Sequence, residues 1–399
     1  MTTPDTLYPI TLYGSNISYF TGKMENYFRV RGIDYELRPI NFPADEKRLR
    51  RELGVMQIPA LQLGDGRWMT DSTAMIQWFD ANYPDGAVTP QDPLQRFISF
   101  LLEDWADEWW WRPAMHYRWH YPEGAYLQSR HLADELMGSY PVPGFMKRAI
   151  LRRRQRQGYT VGDGITPAAV PGVEAMYLCL LDQLEGIFRD RPFLLGQRPT
   201  LADIGFSGPF FRHFALDPVP LEIIRQRAPA VLEWVARLWN TSPGVSDGDL
   251  VAGIPDDLGP LLHDIGTGYL PYLCANAEAV AAGKHRFDAE IAGVSYRGAR
   301  YSRYRVWCLQ RFLFGAPLSG CLYQRSFCLS PLAIAWSRSC RSAPRPWGFC
   351  GYGSNTPPPQ PLKRYSRLCA QPGRSSHGST CRQSPGSSSP MPHQNSRSR

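Results

Sequence analysis

The residues best placed to do chemistry lie near the start of the chain. Ser18 sits in a small polar loop, residues 14–18, between an apolar strand-like run at 10–13 and a helical pattern that lasts to Gly32. Tyr13 ends the strand-like run and Tyr19 opens the helix. A strand–loop–helix junction offers free backbone N–H groups and the positive end of a helix dipole to whatever occupies the loop. An anion gains there and a neutral group does not, so a thiol held at the junction is biased toward thiolate. A hydroxyl donating to the sulfur strengthens that bias. The plainer reading is a helix-capping serine beside two packing tyrosines. Ser18 and Thr21 have the spacing of a Cys-x-x-Cys pair but carry no thiol, which excludes dithiol exchange at this point.

Other elements must hold this junction in place. Gln57-Ile58-Pro59-Ala60-Leu61 puts a proline at the entrance of a strand, where a missing N–H is tolerated. Asp71-Ser72 opens an amphipathic helix with apolar residues at Met75, Ile76, Trp78 and Phe79. Strands are expected at 10–14, 35–40, 59–63 and 68–70, with Gly64-Asp65-Gly66 as a hairpin turn, and a short charged helix at 44–53. The order is β-α-β-α-β-β-α. Residues 84–93 have linker composition, and the chain then reads as helical. Phe97, Leu101, Leu102, Trp105, Trp109 and Pro113 suggest one long helix. An aromatic and basic cluster follows, to Tyr121. Further helices are expected at 127–138, 144–157, 173–188, 230–239 and 269–282. Thr200 and Asp203 form an N-capping box before an apolar run.

This sequence of motifs resembles the glutathione S-transferase family. The resemblance implies an α/β thioredoxin-like domain at 8–85, an all-α domain at 94–249 after the linker at 86–93, and a helical extension at 250–311; composition rich in Ser, Pro, Arg, Cys and Gly adds a low-complexity tail at 312–399, expected to be disordered. The resemblance also implies glutathione as co-substrate, its thiolate attacking a small electrophile. Ser18 matches the family's Ser/Cys-type catalytic position; Tyr13 and Tyr19 are the rival hydroxyls. Pro59 matches the family's cis-proline, and Ile58 would offer its backbone to the cysteinyl part of glutathione. Asp71 and Ser72 match the pair that holds the γ-glutamyl end. Gln57 and Lys47 are candidate contacts for the glycyl carboxylate. A homodimer is implied as well. The different-class alternative is a non-catalytic binding or scaffold protein on the same fold. The stretch from Trp105 to Tyr121 reads either as the lining of an apolar acceptor site or as core packing. His116 and His120 lack a third ligand at metal spacing, so no metal is expected.

Composition narrows the remaining classes. The net charge of +8 is uneven: 16 of the 44 basic residues follow Glu290, where no acid remains, which leaves 28 basic against 36 acidic residues before that point. The body is mildly acidic, so overall basicity is no argument for nucleic-acid binding. Seven of the nine cysteines lie between Cys308 and Cys381. Two widely spaced thiols in the body point to a reduced, cytoplasmic setting. Residues 1–9 show neither a basic nor an apolar segment of a signal peptide, and no membrane span is expected. The loss of acids, together with the scattered Cys and Trp of the tail, also fits a reading frame lost near 312–320, which sequencing of the coding DNA would test.

Overall fold

The computed structural model describes residues 5–244 and 248–314. The expectation of a disordered tail lies outside these residues from 315 onward.

The first unit runs β1 (Thr11–Gly14), α1 (Tyr19–Arg31), β2 (Glu36–Pro39), α2 (Ala44–Leu53), β3 (Ala60–Gln62), β4 (Trp68–Thr70) and α3 (Ser72–Asn82). The sheet order is β2-β1-β3-β4, with β1 parallel to β2 and antiparallel to β3. This is the expected thioredoxin-like unit. Gly32 ends α1 in the left-handed region at φ 61°, where its N–H reaches the carbonyls of Arg29 and Phe28. Pairing of Tyr13 with Ala60 has a consequence for the site. It brings the loop after Gly14 and the residue before Ala60, Pro59, to the same end of the sheet.

Helices follow: α4 (Pro93–Glu108), α5 (Trp111–His120), α6 (Pro122–Leu136), α7 (Gly144–Gln155), α8 (Val170–Asp190), α9 (Leu201–Pro209), α10 (Pro218–Arg227) and α11 (Pro229–Trp239). The single long helix expected through Pro113 is two helices, broken at Trp109-Trp110. A proline at 113 has no N–H and its ring meets the carbonyl four residues back, so it is tolerated only in the first turn of a new helix. The capping box at Thr200 forms as expected. Asp203, fully buried, accepts from the backbone N–H of Thr200 at 2.9 Å and of Leu194 at 2.9 Å, and from the Trp234 indole at 3.2 Å. It starts α9, which packs between α1 and α4. Gly205 permits that approach, because a Cβ there would lie 2.6 Å from the Glu103 Cα.

The main apolar core runs from Leu12, Phe28 and Phe79 through Trp105, Leu181 and Phe206 to Trp234. A smaller one, on the other face of the sheet, joins Tyr13, Ile40 and Leu49 to Met115, Trp119 and Leu136.

The extension contains α12 (Gly259–Asp264), α13 (Leu270–Ala281), β5 (Arg286–Ile291), β6 (Val294–Arg300) and α14 (Arg303–Phe314). It is therefore not purely helical: β5 and β6 form an antiparallel hairpin. Phe287, Ala289 and Ile291 are buried and alternate with exposed Arg286, Asp288 and Glu290, a period of two. Ala292 and Gly293 turn the chain with φ of 50° and 78°, the left-handed pair that two-residue hairpins need. Among the described residues no helix is long and apolar enough to cross a membrane.

Candidate functional site

The loop at the end of β1 is held from the helical domain. Ser15, buried, donates its hydroxyl to Glu135 of α6 at 2.5 Å, and the Asn16 amide donates to the same carboxylate at 3.0 Å. Buried Arg118 of α5 donates to the Ile17 carbonyl at 2.7 Å and pairs with Asp217 at 2.8 Å. Ser18 follows as the N-cap of α1, partly exposed, with its oxygen accepting from the Thr21 N–H at 3.4 Å. Accepting through oxygen leaves the hydroxyl proton able to donate.

The two rival hydroxyls are turned away. Tyr13 is buried, donates to Gln62 at 3.1 Å and stacks near Trp68 and Arg48, on the side of the sheet that α2 covers. Tyr19 is buried and donates to the Ala106 carbonyl at 2.5 Å. Burial first, then the charges of Asp107 and Glu108, raises its phenol well above the ordinary range. Each hydroxyl is spent on an internal acceptor, and neither residue lines the cavity at the domain junction.

A cavity of about 280 Å³ lies where the two domains and the extension meet. The thioredoxin-like side gives it Gln57, Ile58, Pro59, Asp71 and Ser72, with Phe20 from the first turn of α1. The Ile58–Pro59 peptide is cis. Asp71 caps α3, accepting from the Thr73 N–H at 3.1 Å, and does so at φ 74°, a conformation that non-glycine residues rarely adopt. Such strain costs roughly 1–3 kcal/mol and persists where the surroundings over-determine it. Burial raises the Asp71 carboxyl, offset in part by Lys23. Ser18 and Lys47 are not among the lining residues, and Lys47 is exposed on α2. Five expected residues thus come together (Gln57, Ile58, Pro59, Asp71 and Ser72), with Ser18 at the same end of the sheet.

The opposite wall is not what the motifs indicated. Asp107 and Glu108 from the end of α4, with Ser302 and Tyr304 from the extension, close it. Behind it, Lys23 of α1 is fully buried and pairs with Glu103 and Asp107, each at 2.5 Å; Thr73 donates to Glu103 at 2.5 Å. Burial alone would lower the Lys23 pKa, but the two carboxylates raise it above the ordinary lysine value. Asp107 is raised well above the carboxylate range by burial, which Lys23 opposes and Glu103 reinforces. Lys23 was findable: it stands four residues from both Tyr19 and Tyr27, on the buried face of α1. Ser302 and Tyr304 carried no such signal. Of the three consecutive tryptophans, Trp109 and Trp110 are core, while Trp111 is partly exposed and stacks on Phe20 with centroids 5.8 Å apart.

Comparisons with known proteins agree with this arrangement. The description "Glutathione S-transferase, N-terminal domain" matches residues 12–88, and "Glutathione S-transferase, C-terminal domain" matches 167–237. A maleylacetoacetate isomerase from Pseudomonas aeruginosa is 32% identical over 91 residues, 22% of this chain and 42% of that protein. One from Mus musculus is 31% identical over 96 residues, 22% of this chain and 44% of that protein. The chain thus spans less than half the length of these curated relatives. Among solved structures, a beta-etherase from Sphingobium is 18% identical, covering 59% of this chain and 96% of its own, with a TM-score of 0.42. A Tau class glutathione S-transferase from mango is 20% identical, covering 60% and 91%, with a TM-score of 0.36. The unit that supplies one wall of the cavity and the helices at 167–237 thus match the two domains of glutathione S-transferases, and the chain carries an extension past the second match.

Proposed function

We propose that the chain is a glutathione-dependent enzyme in which Ser18 favours the glutathione thiolate and that thiolate attacks a small electrophilic carbon. The observation that carries this reading is the single cavity joining Ile58 and cis-Pro59 to Asp71 and Ser72 at the start of α3. Ile58 would meet the cysteinyl backbone, and Asp71 and Ser72 the ammonium and carboxylate of the γ-glutamyl end. Ser72 opens an eleven-residue helix whose free N–H groups favour that carboxylate. Gln57, which lines the cavity, is preferred to Lys47 for the glycyl carboxylate. The sulfur would then lie toward the end of the sheet that Ser18 shares with Pro59. Trp111, stacked on Phe20, offers an apolar surface for the acceptor. A homodimer and a cytoplasmic setting belong to the same reading.

A second reading has specific support, because the curated relatives are described as maleylacetoacetate isomerases. The same half-site serves an isomerisation in which the thiolate adds to a conjugated double bond, the bond rotates, and the thiolate leaves unchanged.

The test is a titration of glutathione into the full chain, followed by the ultraviolet absorption of the thiolate. A free thiol with pKa about 8.5 is only about 3% ionised at pH 7. A thiolate band at pH 7 is expected in the parent and a weaker one in Ser18→Ala, with glutathione affinity within about threefold, since a lost neutral hydrogen bond is worth about 1 kcal/mol or less. Binding without a band in the parent refutes the enzyme reading and leaves a carrier. A band unchanged in Ser18→Ala removes Ser18 from the chemistry.

A further inference from the structure

We propose that α7 docks the protein on an anionic lipid surface, its exposed apolar side chains entering the headgroup layer while its basic side chains hold the acidic headgroups. The inference is independent of the glutathione reading. It concerns a helix that lies between the two stretches matched to glutathione S-transferase domains.

The inner side of α7 fixes its orientation. Leu151 is buried in the smaller core with Leu132 and Leu136 of α6. Lys147 donates to the Met137 carbonyl at 2.6 Å, and Arg152 to the Ser129 hydroxyl at 3.1 Å. The outer side divides along the helix. Over the first two turns its exposed side chains are Phe145, Met146, Ala149 and Ile150, all apolar. Phe145 with Ala149 and Met146 with Ile150 are four residues apart, so they form one stripe. Arg153 and Arg154 continue the outer side over the last turn, and exposed Arg156 follows. Phe145 is 65% and Ile150 51% exposed, and six of the eight large apolar side chains exposed among the described residues fall at 126–161. A lone exposed apolar residue needs no explanation, but such a concentration marks a contact surface.

Charge identifies what the surface contacts. From Leu136 to Gly162 there are six Lys or Arg and no Asp or Glu, in a body whose acids outnumber its bases. On other helices exposed arginines meet acids, Arg189 with Glu185 and Arg227 with Asp182. None of the six cations at 136–162 is in an ion pair among the described residues. Unneutralised cations beside an apolar stripe fit a partner that is anionic at its surface and apolar beneath, which is the layering of a bilayer with acidic headgroups. Nucleic acid supplies the charge but leaves Met146 and Ile150 in water. A second copy of the chain paired through the same face would set six cations against six. The chain beyond residue 314 contains no acid to offer them either. An apolar anchor alone gives marginal membrane binding, and the basic residues supply the second signal.

The experiment is co-sedimentation of the full chain with vesicles of phosphatidylcholine alone and of phosphatidylcholine with about 30% phosphatidylserine. Binding is expected to the mixed vesicles only, and to fall as salt rises. Each basic residue near an anionic surface is worth about fivefold in partition, so Arg153→Gln with Arg154→Gln should weaken binding about twenty-fivefold. Phe145→Ser with Ile150→Ser should weaken it about tenfold or more. All four residues are exposed, so both variants should keep the circular dichroism of the parent. Failure of the parent to bind the mixed vesicles, or equal binding to both kinds, overturns the proposal. So does binding that both variants keep, which would assign it to the basic sequence beyond residue 314. Weakening by one pair alone overturns it as well: the arginine pair alone would mark an ionic contact with an acidic protein or nucleic acid, and the apolar pair alone a contact without headgroup charge.

Discussion

Lys23 joins the two domains through charge, and its removal can be followed quantitatively. In Lys23→Met the unbranched stem is kept and the ammonium lost. Glu103 and Asp107, 1% and 8% exposed at their side chains, would then lie buried without the cation that both contact at 2.5 Å. Breaking a buried pair by removing one partner costs about 3–5 kcal/mol. That is a large share of the roughly 5–15 kcal/mol that a folded protein has in total. The cost must depend on pH. Folding already raises the Asp107 pKa, so the folded state binds its proton more tightly, and stability falls as pH rises from the unfolded carboxylate value near 4. Without Lys23 that shift grows. Urea unfolding should therefore show Lys23→Met losing more, relative to the parent, at pH 8 than at pH 5. Adding Glu103→Gln and Asp107→Asn removes the orphaned charges and should restore most of the loss at pH 8. A loss under about 1 kcal/mol at pH 8, or the same loss at both pH values, would refute the electrostatic account.

Two further perturbations test the helical domain and its junction with the extension. Asp104 is buried, accepts hydrogen bonds from Tyr269 and Cys308, and is pushed up by burial from 3.8 to about 7. Its raised pKa makes the parent less stable as pH climbs from about 4 to about 7, by up to about 4 kcal/mol; Asp104→Asn should flatten that part of the thermal-unfolding profile, and an unchanged slope would rule the assignment out. Gly205→Ala forces a Cβ to within 2.6 Å of the Glu103 backbone. The helices α4 and α9 must part, at about 1–3 kcal/mol by urea unfolding, and a neutral result would contradict the close approach.

The first wall of the cavity was legible because its determinants are local. A proline before a short strand, an acid and a serine opening a helix, and a polar loop ahead of another helix are each set within a few residues. The capping box at Thr200 was legible for the same reason. The break at Trp109-Trp110 is masked in the sequence because apolar spacing continues across it, although Pro113 marks the start of a new helix. The hairpin of β5 and β6 is hard to see in the sequence because charged residues line its outer face and leave only Phe287, Ala289 and Ile291 as the apolar alternation of β5. Tyr13 and Tyr19 could not be sorted from Ser18 by position in sequence. What separates them is the acceptor each hydroxyl finds, Gln62 across the sheet and the Ala106 carbonyl in another domain, and those partners lie 49 and 87 residues away.

The acidic wall was illegible for a deeper reason. Asp107 and Glu108 sit in an aromatic-rich stretch where acids read as solvent-facing helix positions. Their burial follows only from Lys23 on α1 and Arg305 on α14 arriving from 84 and 197 residues away. Lys23 is shared by Glu103 and Asp107, and Arg305 pairs with Glu108; such pairing is what permits acids to be withdrawn from water. Neither pairing uses both oxygens of Asp107. That second Asp107 oxygen is enclosed and has no hydrogen-bond partner, so the wall carries a polar cost that its own packing does not relieve.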